Sequence, residues 1–148
     1  MHPIRTWIVI ADGSRARILV NEGPNKGVQF VPGTDFRHEL PLNREIYADR
    51  PGRAFDSSSP ARSAMEQPDA HALEKARFVQ QIVHFVNEQL QTKAFDRWLL
   101  IAPPEILGDF RRALTPQLKA TLMDELPKDL TKVPTNEVPS YLTDFLPV

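Results

Sequence analysis

Thr6-Trp7-Ile8-Val9-Ile10-Ala11-Asp12-Gly13-Ser14-Arg15-Ala16-Arg17-Ile18-Leu19-Val20 is the stretch that decides the fold class. Thr6 to Ala11 is an apolar run rich in β-branched and aromatic residues. It stops at Asp-Gly-Ser, so it reads as a buried strand ending in a tight turn. Arg15 to Val20 resumes as a second strand, and the two pair as a hairpin across that turn. Asn21 to Gly27, with two glycines and a proline, is a further turn region, and Val28-Gln29-Phe30-Val31 alternates weakly as a third strand. Three consecutive strands joined by turns predict an antiparallel meander.

Proline marks the limits of the remaining structure. The chain has 14 prolines, about twice the usual ~5%, yet none falls between Pro68 and Pro103. Proline breaks helices and interior strands, so this gap should hold the longest regular element. A helix is predicted from near Asp69, whose carboxylate caps the first turn, to about Gln91. Leu73, Ala76, Val79, Val83, Val86 and Leu90 share one face, widened by Phe78, Ile82 and Phe85. Phe95 to Ala102 is a second apolar strand, expected in the centre of the sheet. Pro104 to Leu114 reads as a helix, with Gly108 accepted to let it approach the strand below. Thr121-Leu122-Met123 is a weaker strand and Ser140 to Leu146 a short terminal helix. The expected fold is a single mixed α/β domain spanning 1–148.

Composition narrows function by exclusion. A chain of 148 residues buries roughly two-thirds of its unfolded surface and needs no staples. The absence of cysteine excludes a disulfide scaffold, a thiol nucleophile and an iron–sulfur site. With 18 basic and 19 acidic side chains there is no overall basic field, so nucleic-acid binding requires a local patch. The apolar run Trp7 to Ala11 is far short of the ~18 residues of a membrane span. The expected compartment is the cytoplasm, with no membrane partner.

Between Arg37 and Asp69 the pattern changes to a long polar loop with four prolines, the serines Ser57, Ser58 and Ser59, and five arginines. Its sharpest part is Ala48-Asp49-Arg50-Pro51-Gly52-Arg53-Ala54-Phe55-Asp56-Ser57. Here two arginines flank a Pro-Gly turn, with a lone aromatic and acids at both ends. Guanidinium groups grip phosphate bidentately and an exposed phenylalanine stacks on a base. The alternative is internal: Arg50 and Arg53 pair with Asp49 and Asp56 while Phe55 pins the loop to the core. Asp12 to Arg17 lacks the spaced glycines and the lysine of a phosphate loop and reads as a turn with Arg15 and Arg17 facing outward. His71 and Glu74 share a helix face, but His2, His38 and His84 add no metal-ligand spacing. His84 reads as a packed or rim histidine. Asp96 and Glu105 fall at opposite ends of a strand and cannot share a proton. No catalytic constellation, metal site or cofactor site is predicted.

Five strings occur together and in order: Trp7 to Arg17, Asp49 to Ser57, His71-Ala72-Leu73-Glu74-Lys75-Ala76-Arg77-Phe78, Ala102-Pro103-Pro104-Glu105-Ile106-Leu107-Gly108, and Lys128-Asp129-Leu130-Thr131. On these strings the chain resembles the bacterial host-attachment protein family, named for a role in attachment to host cells. That family is similar in turn to the middle domain of archaeal and eukaryotic peptide-chain release factors, which implies a mixed α/β sheet with helices. In those factors the corresponding loop carries a Gly-Gly-Gln tripeptide, followed on the next helix by an Arg-Phe pair that Arg77-Phe78 echoes. The loop here reads Pro51-Gly52-Arg53-Ala54-Phe55, and the nearest downstream glutamine, Gln67, sits between Glu66 and Pro68. Peptidyl-tRNA hydrolysis is therefore not carried over. The resemblance implies a docking role: ribosome or tRNA as partner, Arg50 and Arg53 on phosphate, and Phe55 stacking. Asp49, Gly52 and Asp56 would shape the loop, and Arg15 and Arg17 would extend the patch. The rival expectation is a protein–protein adaptor. The attachment role is expected to be indirect.

Overall fold

The computed structural model describes residues 3–38 and 60–148. Among them, six strands form one mixed sheet: β1 (Thr6–Ala11), β2 (Arg15–Asn21), β3 (Gln29–Phe30), β4 (Phe36–Arg37), β5 (Arg97–Ile101) and β6 (Leu122–Leu126). The spatial order is β3-β2-β1-β5-β6, with β4 also paired to β2. The hairpin is as expected, with Trp7 opposite Val20 and Ala11 opposite Ala16. Parallel pairing then joins β1 to β5, and β5 to β6. β1 therefore takes the middle of the sheet, and β5 is the interior strand beside it.

The apolar runs are continuous because both faces of the sheet are covered. On one face Trp7, Val9, Ala11, Ile18, Trp98 and Leu100 pack against helices α1 (Pro60–Gln91), α2 (Pro104–Ala113) and α3 (Pro116–Thr121). Trp7 stacks on Phe95 with centroids 4.6 Å apart, and the Trp98 indole donates to Leu118 O at 2.9 Å. On the other face Ile8, Ile10, Leu19, Leu99 and Ile101 pack against Leu130, Val138, Leu142 and Leu146 of the C-terminal segment. That segment contains a 3-10 helix, Thr135–Tyr141.

Several elements depart from the sequence expectation. The long helix begins at Pro60, not Asp69, and continues through Pro68. Alanine, arginine, methionine, glutamate and glutamine at Ala61, Arg62, Ala64, Met65, Glu66 and Gln67 favour helix strongly enough to hold the element together on the N-terminal side of Pro68. Pro60 itself suits a helix start, where the missing N–H is not needed. At 1.5 Å per residue these 32 residues span about 48 Å. The strands, of five to seven residues in the interior, span roughly 20 Å. The helix therefore overruns the sheet, and Leu73, on the predicted apolar face, is 51% exposed. Phe78, Val79, Ile82, Val83 and Val86 are buried as that face requires.

The third strand shortens to Gln29–Phe30, and Phe36–Arg37, placed by the sequence at the edge of the long loop, adds a pair to β2. Buried Thr34 turns the chain between them, accepting from Ile18 N at 3.2 Å and donating to Val31 O at 2.7 Å. Helix α3 was not expected. Its signal was Thr115-Pro116, since Thr115 Oγ1 caps Leu118 N at 3.2 Å and proline fits the first turn. β6 consequently starts at Leu122 and runs to Leu126. The terminal helix lies at Thr135–Tyr141 rather than Ser140–Leu146, with Pro139 inside a 3-10 segment. A side chain at Gly108 would meet only the Arg112 guanidinium, at 3.7 Å, so that glycine does not serve close approach to a strand.

Phe78 is among the largest fully buried side chains and lies in the core that α1 forms with the sheet. Phe78→Ala should lower the unfolding free energy by about 3–5 kcal/mol, read from urea denaturation followed by tryptophan fluorescence.

Candidate functional site

The turn after β1 is built by Asp12, whose Oδ1 accepts from Ser14 N and Arg15 N, each at 2.7 Å. This arrangement satisfies two donors at the tip of the hairpin. Gly13 is needed for a different reason. A Cβ there would lie 2.7 Å from Lys75 Cγ, so the missing side chain lets the Lys75 stem lie across the turn. Lys75 Nζ then reaches Glu105 Oε1, at the start of α2, at 2.9 Å. One turn further along α2, Arg112 pairs with Asp109.

His71, Ala72 and Lys75 of α1 and Glu105, Asp109 and Arg112 of α2 line a cleft of about 430 Å³. It lies near the carboxyl ends of parallel strands β1 and β5, where open α/β sheets commonly place ligands. A second cleft of about 340 Å³, near the C-terminal end of α1, is lined by Gln80, Val83, His84, Asn87, Ala113 and Thr115.

Beside the hairpin tip, His38 N donates to Ser14 O at 2.6 Å and its Nε2 lies 2.7 Å from Glu74 Oε2. The His38 ring also rests against Phe78, with centroids 5.8 Å apart. The chain is thus fastened to β2 and α1 immediately before residue 39. On the opposite face of the sheet, Thr131 Oγ1 donates to Asp129 Oδ1 at 2.6 Å and lies 3.3 Å from Asp12 Oδ2. Four of the five strings singled out in the sequence therefore meet at one end of the sheet.

Of the predicted site residues, Arg15 lies at this end, half-buried and in register with Arg37. Arg17 does not face outward. It shares the Leu19 side of β2, and its guanidinium donates to Leu130 O at 2.8 Å, to Val133 O and to Thr135 Oγ1 at 3.3 Å. Burial, and then the nearby charge of Arg15, lower its pKa, against a smaller opposing effect of Asp35. Arg17 is a clamp on the C-terminal segment, and it is removed from the proposed patch. Alternation conceals this in the sequence, because a period of two puts Arg17 on an apolar face without naming its acceptors. Asp49, Arg50, Gly52, Arg53, Phe55 and Asp56 lie outside the described residues.

His71 and Glu74 share α1 as expected, and the imidazole beside Glu74 is that of His38, joined across 36 positions that no local spacing connects. His84 is a rim residue 3.4 Å from Glu88. Asp96 and Glu105 are apart, as expected. Asp96 accepts from Arg5 N at 2.7 Å, and Glu105 holds Lys75. Phe78 of the Arg-Phe pair is core, and Arg77 is exposed. Among the described residues no group of three or more His, Asp or Glu is placed to hold a metal ion, and no helix is long and apolar enough to cross a membrane.

The family model described as "Protein required for attachment to host cells" matches residues 7–142. The chain belongs to that family. The match runs from Trp7 in β1 to Leu142 in the C-terminal segment, so the family domain takes in both layers that cover the sheet. No curated protein matches the chain significantly.

Two substitutions test this construction. Arg17→Met leaves the Leu130 and Val133 carbonyls without their donor. It should cost about 1–3 kcal/mol and speed amide exchange across 128–146. Gly13→Ala should destabilise the protein by about 1 kcal/mol, and clearly less in a Lys75→Ala background, where the obstructing stem is gone. Equal costs in both backgrounds would contradict the packing described for the turn.

Proposed function

We propose that this host-attachment family protein is a non-enzymatic RNA-binding factor that meets tRNA or the ribosome. The contact would be made at the end of the sheet where segment 39–59 follows His38. The observation that carries the reading is the fastening of His38 to Ser14 and Glu74, beside the paired Arg15 and Arg37. Arg50 and Arg53 are ten and seven positions before Pro60, so full extension at up to about 3.6 Å per residue keeps them within roughly 36 Å of the helix start. Arg50, Arg53 and Arg15 would contact phosphate, Phe55 would stack on a base, and Asp49, Gly52 and Asp56 would shape the loop. The resemblance to release-factor middle domains supplies the class of partner, and the missing Gly-Gly-Gln argues for docking without hydrolysis. In this reading the protein acts in the cytoplasm and affects attachment indirectly. Native protein on the outer surface of intact cells would overturn that part.

One observation favours a second reading, a protein–protein adaptor. Segment 39–59 carries Arg44, Arg50 and Arg53 against Glu39, Glu45, Asp49 and Asp56, so it is not basic overall. An adaptor would bind through buried apolar contacts with little salt dependence.

Sedimentation with purified bacterial ribosomes over a salt series separates the two. RNA binding predicts co-pelleting that weakens with salt. Arg50→Ala/Arg53→Ala should bind more weakly, with the log–log salt slope reduced by about 1.4–1.8 for two lost phosphate contacts. An unchanged slope removes these arginines from the interface, and no pelleting at any salt sinks the ribosomal reading.

A further inference from the structure

One pair of charges in the sheet works against the fold. Arg15 of β2 stands directly opposite Arg37 of β4, and like charges in that relation destabilise a pair of strands. The bond from His38 N to Ser14 O makes 14 and 38 the hydrogen-bonded pair. Arg15 and Arg37 therefore form the adjacent non-hydrogen-bonded pair, where Cα atoms are about 4.5 Å apart and side chains stand closest. Both point away from the helix layer, because their neighbours Ala16 and Phe36 pack into it. Arg17, on the same face, gives its hydrogen bonds to neutral acceptors of the C-terminal segment, and after burial the charge of Arg15 is the next cause of its lowered pKa. The neighbouring acids leave the Arg15 guanidinium unpaired. Asp35 lies 3.7 Å from Arg37, in an exposed pair that contributes little. Asp12 Oδ1 accepts from the backbone N–H groups of Ser14 and Arg15, and its Oδ2 faces Thr131 Oγ1. Among the described residues the side chain of half-buried Arg15 has no hydrogen-bond or ion-pair partner.

We infer that Arg15 and Arg37 act as one clamp, holding a single phosphate group of a nucleic-acid backbone between them. Two guanidinium groups side by side offer donors to both non-bridging oxygens of one phosphodiester. The negative charge between them replaces their mutual repulsion with attraction to a common partner. The free protein thus gives up stability at this pair and recovers it on binding, a trade common at functional sites. Arg37 thereby joins the interface, and both arginines are placed by the sheet itself. The clamp rests on the RNA reading for its class of ligand, so it is tested apart from ribosome binding.

The test compares the full chain with Arg15→Gln and Arg37→Gln in two measurements. Thermal unfolding is followed in chloride, acetate and inorganic phosphate at matched ionic strength. Binding of a short fluorescent oligouridine is followed by anisotropy over a salt series. In chloride each variant should melt at the same temperature as the wild type or higher, because the opposed charges are gone. Phosphate should raise the wild-type Tm above its value in chloride, and by clearly less in either variant. Comparing the variants with the wild type removes the general stabilisation that phosphate gives any protein. Each variant should bind oligouridine several-fold more weakly, with the log–log salt slope reduced by about 0.7 for one lost phosphate contact on a single strand. A lower Tm for both variants in chloride overturns the clamp, since the arginines would then support the fold. Unchanged oligouridine affinity and slope also overturn it, and if the wild type still pellets with ribosomes the RNA reading stands without this pair. Acetate protecting as well as phosphate overturns it in favour of a carboxylate-bearing protein partner. Phosphate protection that needs both arginines, in a protein that does not pellet with ribosomes, keeps the clamp and sinks only the ribosomal reading.

Discussion

Six consecutive buried side chains in β1 impose the main constraint on this molecule. A strand with no exposed position cannot lie at an edge and cannot leave either face to water, since each uncovered Ile or Val forgoes about 1.5–3 kcal/mol of burial. β1 therefore needs a strand on each side and a layer above and below. The hairpin supplies β2 on one side, and β5 arrives in parallel on the other. The helices cover one face and the C-terminal segment covers the other. Even the salt bridges follow from this plan, because a helix laid over the sheet brings Lys75 beside α2.

The parts of the fold governed by local chemistry were legible in the sequence. β-branched runs and an Asp-Gly turn give the hairpin, and helical spacing gives the apolar face of α1 from Phe78 to Val86. The errors arise where tertiary context or a neighbouring preference outweighs the local signal. Pro68 looked like a start, yet strong helix formers extend the helix back to Pro60. Leu73 matched the apolar stripe, but a stripe does not say where the sheet beneath it ends. Thr115-Pro116 carries a local helix-start signal, a capping hydroxyl followed by proline, in a segment too short to show helical periodicity.

The site was less legible, for a physical reason. Composition and spacing identify residues able to grip phosphate, whereas the observed contacts are fixed by how distant segments meet. His38 finds Glu74 across 36 positions, and Arg17 finds Thr135 across 118. Both pairings depend on the sheet already being assembled. Arg17 illustrates the general difficulty: on sequence alone, a strand arginine that reaches solvent and one that binds carbonyls under a covering segment look the same.

The parallel pairing of β1 with β5, Thr6 opposite Arg97, also bears on biosynthesis. A ribosome releases β1 and β2 together, and their hairpin forms in about 1–10 μs. Translation at about 5–20 residues per second then leaves the other edge of β1 unpaired for several seconds before β5 is made. The Ile8 and Ile10 face waits longer still, until Val138 and Leu142 emerge to cover it. During that interval the nascent chain displays a sticky, strand-competent surface. The order in which this protein is synthesised thus places its most aggregation-prone element first and its protection last.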